Sequence, residues 1–502
     1  MKKALLCLCL ATPWVPACGE PPTSDAPPPQ IAAVKAADVL DPRVSLAITD
    51  VAMLAPFTFE RVLTQLVAQS NVPGLTPLQL FRQWWDTQNP GPGLGLGPHC
   101  DDELDASGAP VLNGYPYPCR PLEGAQAQSD PFSNPGTNPD AYVPIGLFNR
   151  FDLAAKNGSF CGEYRIVFAK RSGITNEFQR NLIIFEGALR NPHPLDKLAG
   201  CRKVAKFWAE LSKEKKANKR LAALEKFYFQ GNENFNAAVD VRAFGDNARD
   251  FGQVRVNSFI NPPGAQSAQV PWSLREFKLI RSGCNEDRTS CEAMRFVPTT
   301  VKNNAFGALF NPVEKAELAP AFVERATTFQ DRFPEVAVES LLASDPTEIS
   351  VDVPPRFNAA QSLSSSTQID RYERQFGDVP TAFHAAIQSR LDTLGSPVTP
   401  LQVVRRAMTI SCAGCHRLND AAPNNDLGNG LTWAPSLGFV HVSEREFEPD
   451  DPTRHRISDA LKNVFLPKRL QVLETFLQHG VGKLGETDTE SDRPIKGGGR
   501  HD

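Results

Sequence analysis

The chain contains little methionine and little histidine, and after its first ten residues it has no long apolar run. Methionine occurs 4 times and histidine 8 times among 502 residues. No later apolar stretch approaches the roughly 20 residues that a membrane-spanning helix needs, so the sequence predicts membrane contact through a lipid alone. A net charge of −4, with acidic and basic residues well mixed, argues against a general nucleic-acid binder.

Several catalytic and metal-binding motifs are also absent. The sequence contains no serine elbow, no His-Glu-x-x-His motif and no second pair of cysteines separated by two residues. The single pair disfavours a zinc site built from two such pairs. The glycine-rich segment 91–97 is similar to a phosphate loop, but it follows a predicted helix and lacks the subsequent Lys-Ser/Thr, so we exclude that function.

The most informative motif is Cys412-Ala-Gly-Cys415-His416, whose spacing is that of c-type haem attachment. On one helical turn, residues three apart share a face, so both thiols can reach the two vinyl groups of one porphyrin. His416 then becomes the proximal iron ligand, and Gly414 leaves room for a flat ring beside the backbone. The same cysteine pair is also compatible with a redox disulfide, another metal or a free dithiol.

The first residues of the chain predict export. Lys2 and Lys3 precede the short apolar run Ala4–Leu10, and Val15-Pro-Ala-Cys18 follows. This segment resembles the signal peptide and lipobox of a bacterial lipoprotein, which implies that Cys18 carries lipid in the periplasm or outer membrane. The alternative is ordinary secretion with Cys18 left over. Both alternatives place the chain outside the cytoplasm, where bacteria attach c-type haem.

Cysteine spacing predicts a disulfide framework. Of 11 cysteines, Cys7 and Cys9 leave with the signal and Cys18 carries the lipid, so eight remain. An even number in an oxidising compartment indicates disulfides. The neighbouring couples are Cys100 with Cys119, Cys161 with Cys201, Cys284 with Cys291, and Cys412 with Cys415.

Hydrophobic periodicity predicts an α+β body with a mixed or antiparallel sheet, followed by a small, mostly α-helical domain. Period-two alternation predicts strands at 163–168, 181–185, 253–257, 272–279 and 294–297. Helical spacing predicts helices within 59–67, 77–85, 204–211, 221–227, 383–394, 400–411 and 466–479. Charged side chains on the strands, and the basic run Lys213–Arg220, are expected to be solvated. The strand charges are Glu163, Arg165, Glu186, Arg255, Arg275 and Glu276.

The predicted organisation has seven parts. They are a signal peptide (1–17), a lipidated cysteine with a proline-rich tether (18–40), a helical and loop-rich region (41–155), the α+β body (156–345), a connecting helical region (346–395), a haem domain (396–482) and a flexible tail (483–502).

The order of elements from residue 396 to 480 resembles that of class I cytochromes c, because one helix leads into the motif and another closes the segment. The resemblance implies a cytochrome c-like domain with one covalent haem c. It departs from the family in that no methionine follows His416. The candidate for the sixth ligand is therefore His441, with Trp433 covering the ring; the alternatives are a buried histidine and a five-coordinate iron. The motif also resembles uncharacterised bacterial envelope proteins, which implies no activity.

These observations favour an electron carrier over an enzyme. The predicted partners are a lipid membrane, reached through the acyl anchor, and a redox partner protein; no nucleic acid is expected. One alternative is a disulfide-stapled structural or ligand-binding lipoprotein without haem. Another is a haem-dependent oxidoreductase or peroxidase, because an open position on iron would admit peroxide.

Overall fold

The computed structural model of the chain describes residues 40–246, 251–262, 264–265, 270–312, 320–364, 370–411, 414–415 and 426–479. The predicted signal peptide, tether and tail lie outside these ranges. So do Cys18, Cys412 and His416.

An eight-stranded antiparallel sheet forms the centre of the fold, which confirms the α+β class. In chain order the strands of the molecule are β1 (Ala47–Ile48), β2 (Val111–Leu112), β3 (Tyr115–Pro116), β4 (Tyr142–Arg150), β5 (Phe160–Lys170), β6 (Asn181–Arg190), β7 (Gln253–Ser258), β8 (Ser273–Ser282), β9 (Ala293–Thr299), β10 (Ser362–Leu363), β11 (Val442–Glu448) and β12 (Asp451–Ile457). The sheet order is β1-β4-β5-β6-β7-β8-β10, and β9 also pairs with β8. Two short hairpins, β2-β3 and β11-β12, lie outside the sheet.

All five predicted strands are present, and the sheet also extends past the range 156–345. Strands β1 and β4 precede that range and β10 follows it. The register pairs Arg165 with Glu186 and Arg255 with Glu276 across neighbouring strands. Opposite charges therefore face each other along the sheet.

The described part of the chain contains the seven predicted helices, within a few residues of their predicted bounds, and further helices that the sequence did not predict. They are α1 (Pro42–Ser45), α2 (Val51–Leu54), α3 (Phe59–Ala68), α4 (Pro77–Asp86), α5 (Pro121–Gly124), α6 (Arg171–Thr175), α7 (Arg202–Lys213), α8 (Ala217–Phe229), α9 (Pro320–Val336), α10 (Val338–Leu341), α11 (Tyr372–Phe376), α12 (Ala382–Thr393), α13 (Pro400–Ile410) and α14 (Leu466–His479). Thr76 and Thr399 are N-cap residues that each form a capping box, and a proline follows in the first turn. These two local signals set where α4 and α13 begin.

The first core lies between one face of the sheet and helices α3, α4, α7 and α8. Phe59 packs against Phe185, Trp84 stacks on Phe296, and Trp208 stacks on Tyr164. The tryptophans of α4 are thus core residues. Residues 51–68 are long and apolar enough to qualify as a membrane-crossing segment. Here they form α2 and α3, and α3 buries one side in this core.

The second core joins helices α9 to α13 with the segment that contains β2 and β3. Three of the predicted cysteine couples form disulfides, which confirms that part of the framework. These are Cys100–Cys119, Cys161–Cys201 and Cys284–Cys291. The second of them fastens β5 to the start of α7.

The range 396–482 contributes to both cores. Val403, Met408 and Trp433 pack in the second core, whereas Leu473 and Phe476 of α14 pack in the first. The segment also contains the β11-β12 hairpin. A separate, mostly helical cytochrome c-like domain is therefore not confirmed.

Candidate functional site

Helix α13 positions the described part of the haem motif. Val403, Val404 and Met408 bury one side of this helix in the second core, and the helix ends at Ile410. The Cys415 N–H donates to the Ser411 carbonyl at 3.0 Å, which starts a new turn directly after the helix. Cys412 and His416 lie outside the described residues.

Gly414 has a structural role in this turn and does not make space for a porphyrin ring. Its N–H donates to Ser411 Oγ at 2.9 Å. A Cβ at Gly414 would collide with the Met408 carbonyl and with the Met408 and Ser411 side chains. The glycine therefore permits close approach to its own helix, and our expectation that it leaves space for a porphyrin is wrong on this side of the backbone.

The structure brings three of the predicted site residues together. His441 Nε2 lies 3.5 Å from Cys415 Sγ, and Trp433 Nε1 donates to the Cys415 carbonyl at 3.2 Å. Trp433 is buried, whereas Cys415 and His441 are half-buried. Residues up to 26 positions apart in the chain therefore meet around one cysteine.

Ser458 orients the imidazole of His441. Its Oγ lies 2.8 Å from His441 Nδ1, and the Ser458 N–H donates to the His441 carbonyl at 2.9 Å. Because Nδ1 is engaged, Nε2 is the nitrogen directed at the sulfur. An imidazole held in this way by a partner on one nitrogen can present the other to a metal.

The sulfur–nitrogen separation bears on which cofactor this arrangement fits. A sulfur about 2.3 Å and a nitrogen about 2.0 Å from one tetrahedral metal ion lie about 3.5 Å apart, which equals the separation between Cys415 and His441. A thioether sulfur on the rim of a haem lies several ångströms farther from a nitrogen on its iron. His441 must therefore move before it can act as the distal ligand, and that role stays a prediction.

A series of side-chain contacts connects Trp433 with the sheet through an aromatic ring and an arginine. The Phe465 ring packs edge-on against Trp433 with centroids 5.6 Å apart, and the Arg469 guanidinium lies 5.6 Å from the Phe465 centroid. Arg469 Nε is 3.7 Å from Asp152 Oδ2, and Arg150 Nε and Nη2 contact the same carboxylate.

Further charged residues lie on the second face of the sheet, which is the face opposite the first core. The prediction that these residues are solvated is wrong. Arg165 bridges Glu163 at 2.8 Å and Glu186 at 3.0 Å, and Arg255 bridges Glu186 at 3.2 Å and Glu276 at 2.7 Å. All three glutamates are buried. We call these groups the buried charge cluster. Its members are Arg150, Asp152, Glu163, Arg165, Glu186, Arg255, Glu276 and Arg469.

Arg275 is also buried, on the opposite face of the sheet. Its guanidinium donates to the side chains of Gln88 and Gln361 and to the Pro118 carbonyl, and it lies over the Tyr117 ring. Neutral acceptors therefore hold this arginine in the protein interior, where the sequence predicts a solvated charge.

Burial and neighbouring charges act in opposite directions within the buried charge cluster. Burial raises the pKa of Glu163, but Arg165, Lys302 and Arg150 outweigh it and lower the pKa to about 2. Burial dominates at Glu276, where Glu186 adds to it, and the pKa is raised despite Arg255. The cluster pairs four guanidinium groups with four carboxylates and includes no cysteine, serine or histidine.

The glycine-rich loop at 91–97 binds a carboxylate of its own chain. The Leu94 N–H donates to both Asp86 oxygens at 2.9 Å, and His99 Nε2 lies 3.3 Å from Asp86 Oδ2. Burial raises the pKa of Asp86, but these N–H groups and Asn89 outweigh it, so the pKa lies below its usual value. The loop is thus occupied by Asp86, in agreement with the exclusion of a phosphate site.

Ser458, Phe465 and Arg469 were not among the residues predicted for the site. A signal for Arg469 is present, because it lies three residues after Leu466 and four before Leu473, on the apolar stripe of α14. A charged residue on such a stripe indicates a buried partner.

Comparison with family models, curated proteins and solved structures finds no significant match to this chain.

Proposed function

We propose that this chain is an exported, lipid-anchored protein of the bacterial cell envelope that carries one covalent c-type haem and transfers single electrons. The motif Cys412-Ala-Gly-Cys415-His416 carries the proposal. The position of Trp433 beside Cys415 supports it, because an aromatic side chain lies next to the predicted attachment point, whereas His441 would have to move to reach a haem iron. The lipobox-like segment ending at Cys18 supplies the anchor.

Each residue has a defined part in this proposal. Cys412 and Cys415 hold the porphyrin by thioether bonds and His416 is the proximal ligand. The haem supplies an iron that cycles between two oxidation states. Trp433 provides an aromatic wall beside Cys415 and excludes water, and Arg469 places a positive charge beyond Phe465. Because no methionine follows His416, we expect a lower reduction potential than that of a His/Met cytochrome c.

Absorbance spectroscopy tests the proposal. The chain produced in the periplasm of a strain competent in haem attachment should show a Soret band and the pyridine haemochrome of a haem with two thioethers. Cys415→Ala should weaken attachment, and His416→Ala should disturb ligation. His193→Ala, at an exposed histidine, is the matched control and should keep the wild-type spectrum. A colourless protein from that strain contradicts the haem assignment.

The 3.5 Å separation of Cys415 Sγ and His441 Nε2 favours a second candidate, a transition-metal centre without porphyrin. Cys412 and His416 are the further ligands that the sequence offers. In this case elemental analysis of colourless protein should find one metal equivalent, and His441→Ala should release it. His384→Ala is the control, because His384 is half-buried and stacks on Phe376 of the second core. Metal retained by the His441 variant contradicts this candidate.

A further inference from the structure

One exposed segment carries a charge opposite to that of the whole chain. Residues 202–220 contain eight basic and two acidic side chains, a net charge of +6, whereas the chain carries −4. The segment covers α7, the connecting loop and the start of α8. We call its exposed basic residues the basic face: Arg202, Lys203, Lys206, Lys213, Lys215, Lys216 and Lys219.

The charges of the basic face are largely uncompensated. Within the part of the chain that the structure describes, five of these lysines form no ion pair: Lys203, Lys206, Lys215, Lys216 and Lys219. In the buried charge cluster, by contrast, arginines are paired with carboxylates of the same chain. A surface left this positive therefore suits an external anion.

The first described residues of the chain lie beside the basic face. The Asp41 N–H donates to Ser212 Oγ at 2.9 Å, and Ser45 and Ser212 share a hydrogen bond between their hydroxyls. Ser212 lies in the last turn of α7, next to Lys213. The first residues that the structure describes therefore lie next to one end of this positive surface.

A cavity of about 180 Å³ opens beside the same surface. Arg43, Arg220 and Arg454 line it, from three separate segments, above apolar side chains that include Met53 and Leu224. Arg43 and Arg454 both approach Asp451, at 3.9 Å and 3.0 Å. Arg220 instead donates to the Glu214 carbonyl at 2.9 Å, so its positive charge has no carboxylate partner among the described residues.

We propose that the basic face and the cavity beside it bind the phosphate headgroups of anionic phospholipids. The inference rests on the envelope location in the proposed function. Cys18 and Leu40, the first described residue, are only 22 positions apart in the chain, so a lipid on Cys18 would keep Leu40 near a bilayer. Lysines suit the diffuse negative charge of a lipid surface. The cavity suits one phosphate on Arg220 with the apolar glycerol region against Met53 and Leu224. The short sequence distance between a lipidated Cys18 and Leu40 favours a membrane over a soluble polyanion.

Vesicle sedimentation of the mature chain from residue 19, exported behind a cleavable signal and carrying no lipid, tests the inference. Binding is expected to vesicles of phosphatidylglycerol and phosphatidylcholine but not to phosphatidylcholine alone. Raising the salt concentration from about 0.1 M to about 1 M shortens the screening length from about 10 Å to about 3 Å and should abolish binding. Because this chain has no acyl group, the result is independent of lipidation and of haem.

Charge reversal locates the binding surface. Lys215→Glu/Lys219→Glu should weaken binding by at least about tenfold, and Arg220→Gln by about fivefold. The matched control is Arg332→Glu/Arg374→Glu, at two exposed arginines on α9 and α11, with an expected change below about twofold. Both double variants should unfold at the wild-type denaturant concentration.

Three results overturn the inference: equal binding to neutral vesicles, no binding to anionic vesicles, or equal weakening by both double variants. If the chain binds DNA or an acidic protein but does not bind vesicles, the partner of the basic face is a soluble polyanion and not a membrane. A haem spectrum in the same preparation remains a separate test of the proposed function.

Discussion

Glu186 is the residue on which two arginines of the sheet depend. It is fully buried, and its carboxylate contacts Arg165, Arg255 and the amide of Gln253. In Glu186→Gln the two guanidinium groups keep one carboxylate each but lose the shared one. Because buried charge is then uncompensated, we expect the free energy of unfolding to fall by about 3 kcal/mol, measured by denaturant titration.

The control for Glu186→Gln is the same substitution in an exposed pair. Glu446 is 54% exposed in its pair with Arg456, so Glu446→Gln should cost less than about 1 kcal/mol. Equal losses in the two variants would mean that burial adds nothing to the pairing at Glu186.

Asp370 gives the stability of the protein a pH dependence. It is buried, Oδ2 accepts from the Leu363 N–H at 2.6 Å, and Oδ1 has no partner among the described residues. Burial raises the pKa of Asp370 to about 7. Because this pKa lies above the ordinary value of about 3.9, the folded state binds a proton that the unfolded chain releases. The contribution of this group to stability therefore falls as the pH rises from about 4 to about 7.

Asp370→Asn should remove that dependence. Between pH 5 and 7 the wild type should lose free energy of unfolding relative to the variant, by at most about 1.4 kcal/mol per pH unit. Urea titrations at several pH values measure the difference, with Asp352→Asn at an exposed site as the matched control. A constant difference between wild type and Asp370→Asn across this pH range would show that the Asp370 carboxyl does not titrate there.

At the scale of elements, local signals located seven of the helices and five of the strands in the described part of the chain. Thr76-Pro77 and Thr399-Pro400 fix two helix starts, because the side-chain cap and the first-turn proline act within one turn. Alternation found the strands from β5 to β9. It did not find β4 (Tyr142–Arg150), because nearly all residues of this strand are buried or half-buried and no alternation appears. The strand also contains a proline and a glycine. The β11-β12 hairpin was also missed, since most of its residues are charged or polar.

At the scale of the whole molecule, the C-terminal segment completes the core of the body. Phe476 of α14 is fully buried and packs 4.9 Å from Phe151, which follows β4. We expect Phe476→Ala to reduce the free energy of unfolding of the body by about 3–5 kcal/mol. Fluorescence of the buried tryptophans in α4 and α7 reports on the body during denaturation.

Phe447→Ala is the control for this substitution, because Phe447 lies in the same C-terminal segment but is 43% exposed. Its effect should stay near 0.5 kcal/mol, about the range for surface substitutions. If the segment folded as an independent domain, Phe476→Ala would leave the tryptophan transition of the body unchanged.

The sequence by itself determined the features that depend on neighbouring residues. The haem motif, the lipobox-like segment, the caps of α4 and α13 and the three nearby cysteine couples are each defined within a few tens of residues. The proximity of His441 and Trp433 to the motif was also expected, although their roles stay predictions.

Only the tertiary structure decided which charges are buried. Alternation on a strand is the same whether its polar face meets water or another layer of the protein, so Glu163, Glu186 and Glu276 gave no sign of burial. Their pairing depends on strand register, which places Arg165 opposite Glu186 and Arg255 opposite Glu276. The contact between Cys415 and His441, and the hydrogen bond between Asp41 and Ser212, likewise depend on packing between distant segments.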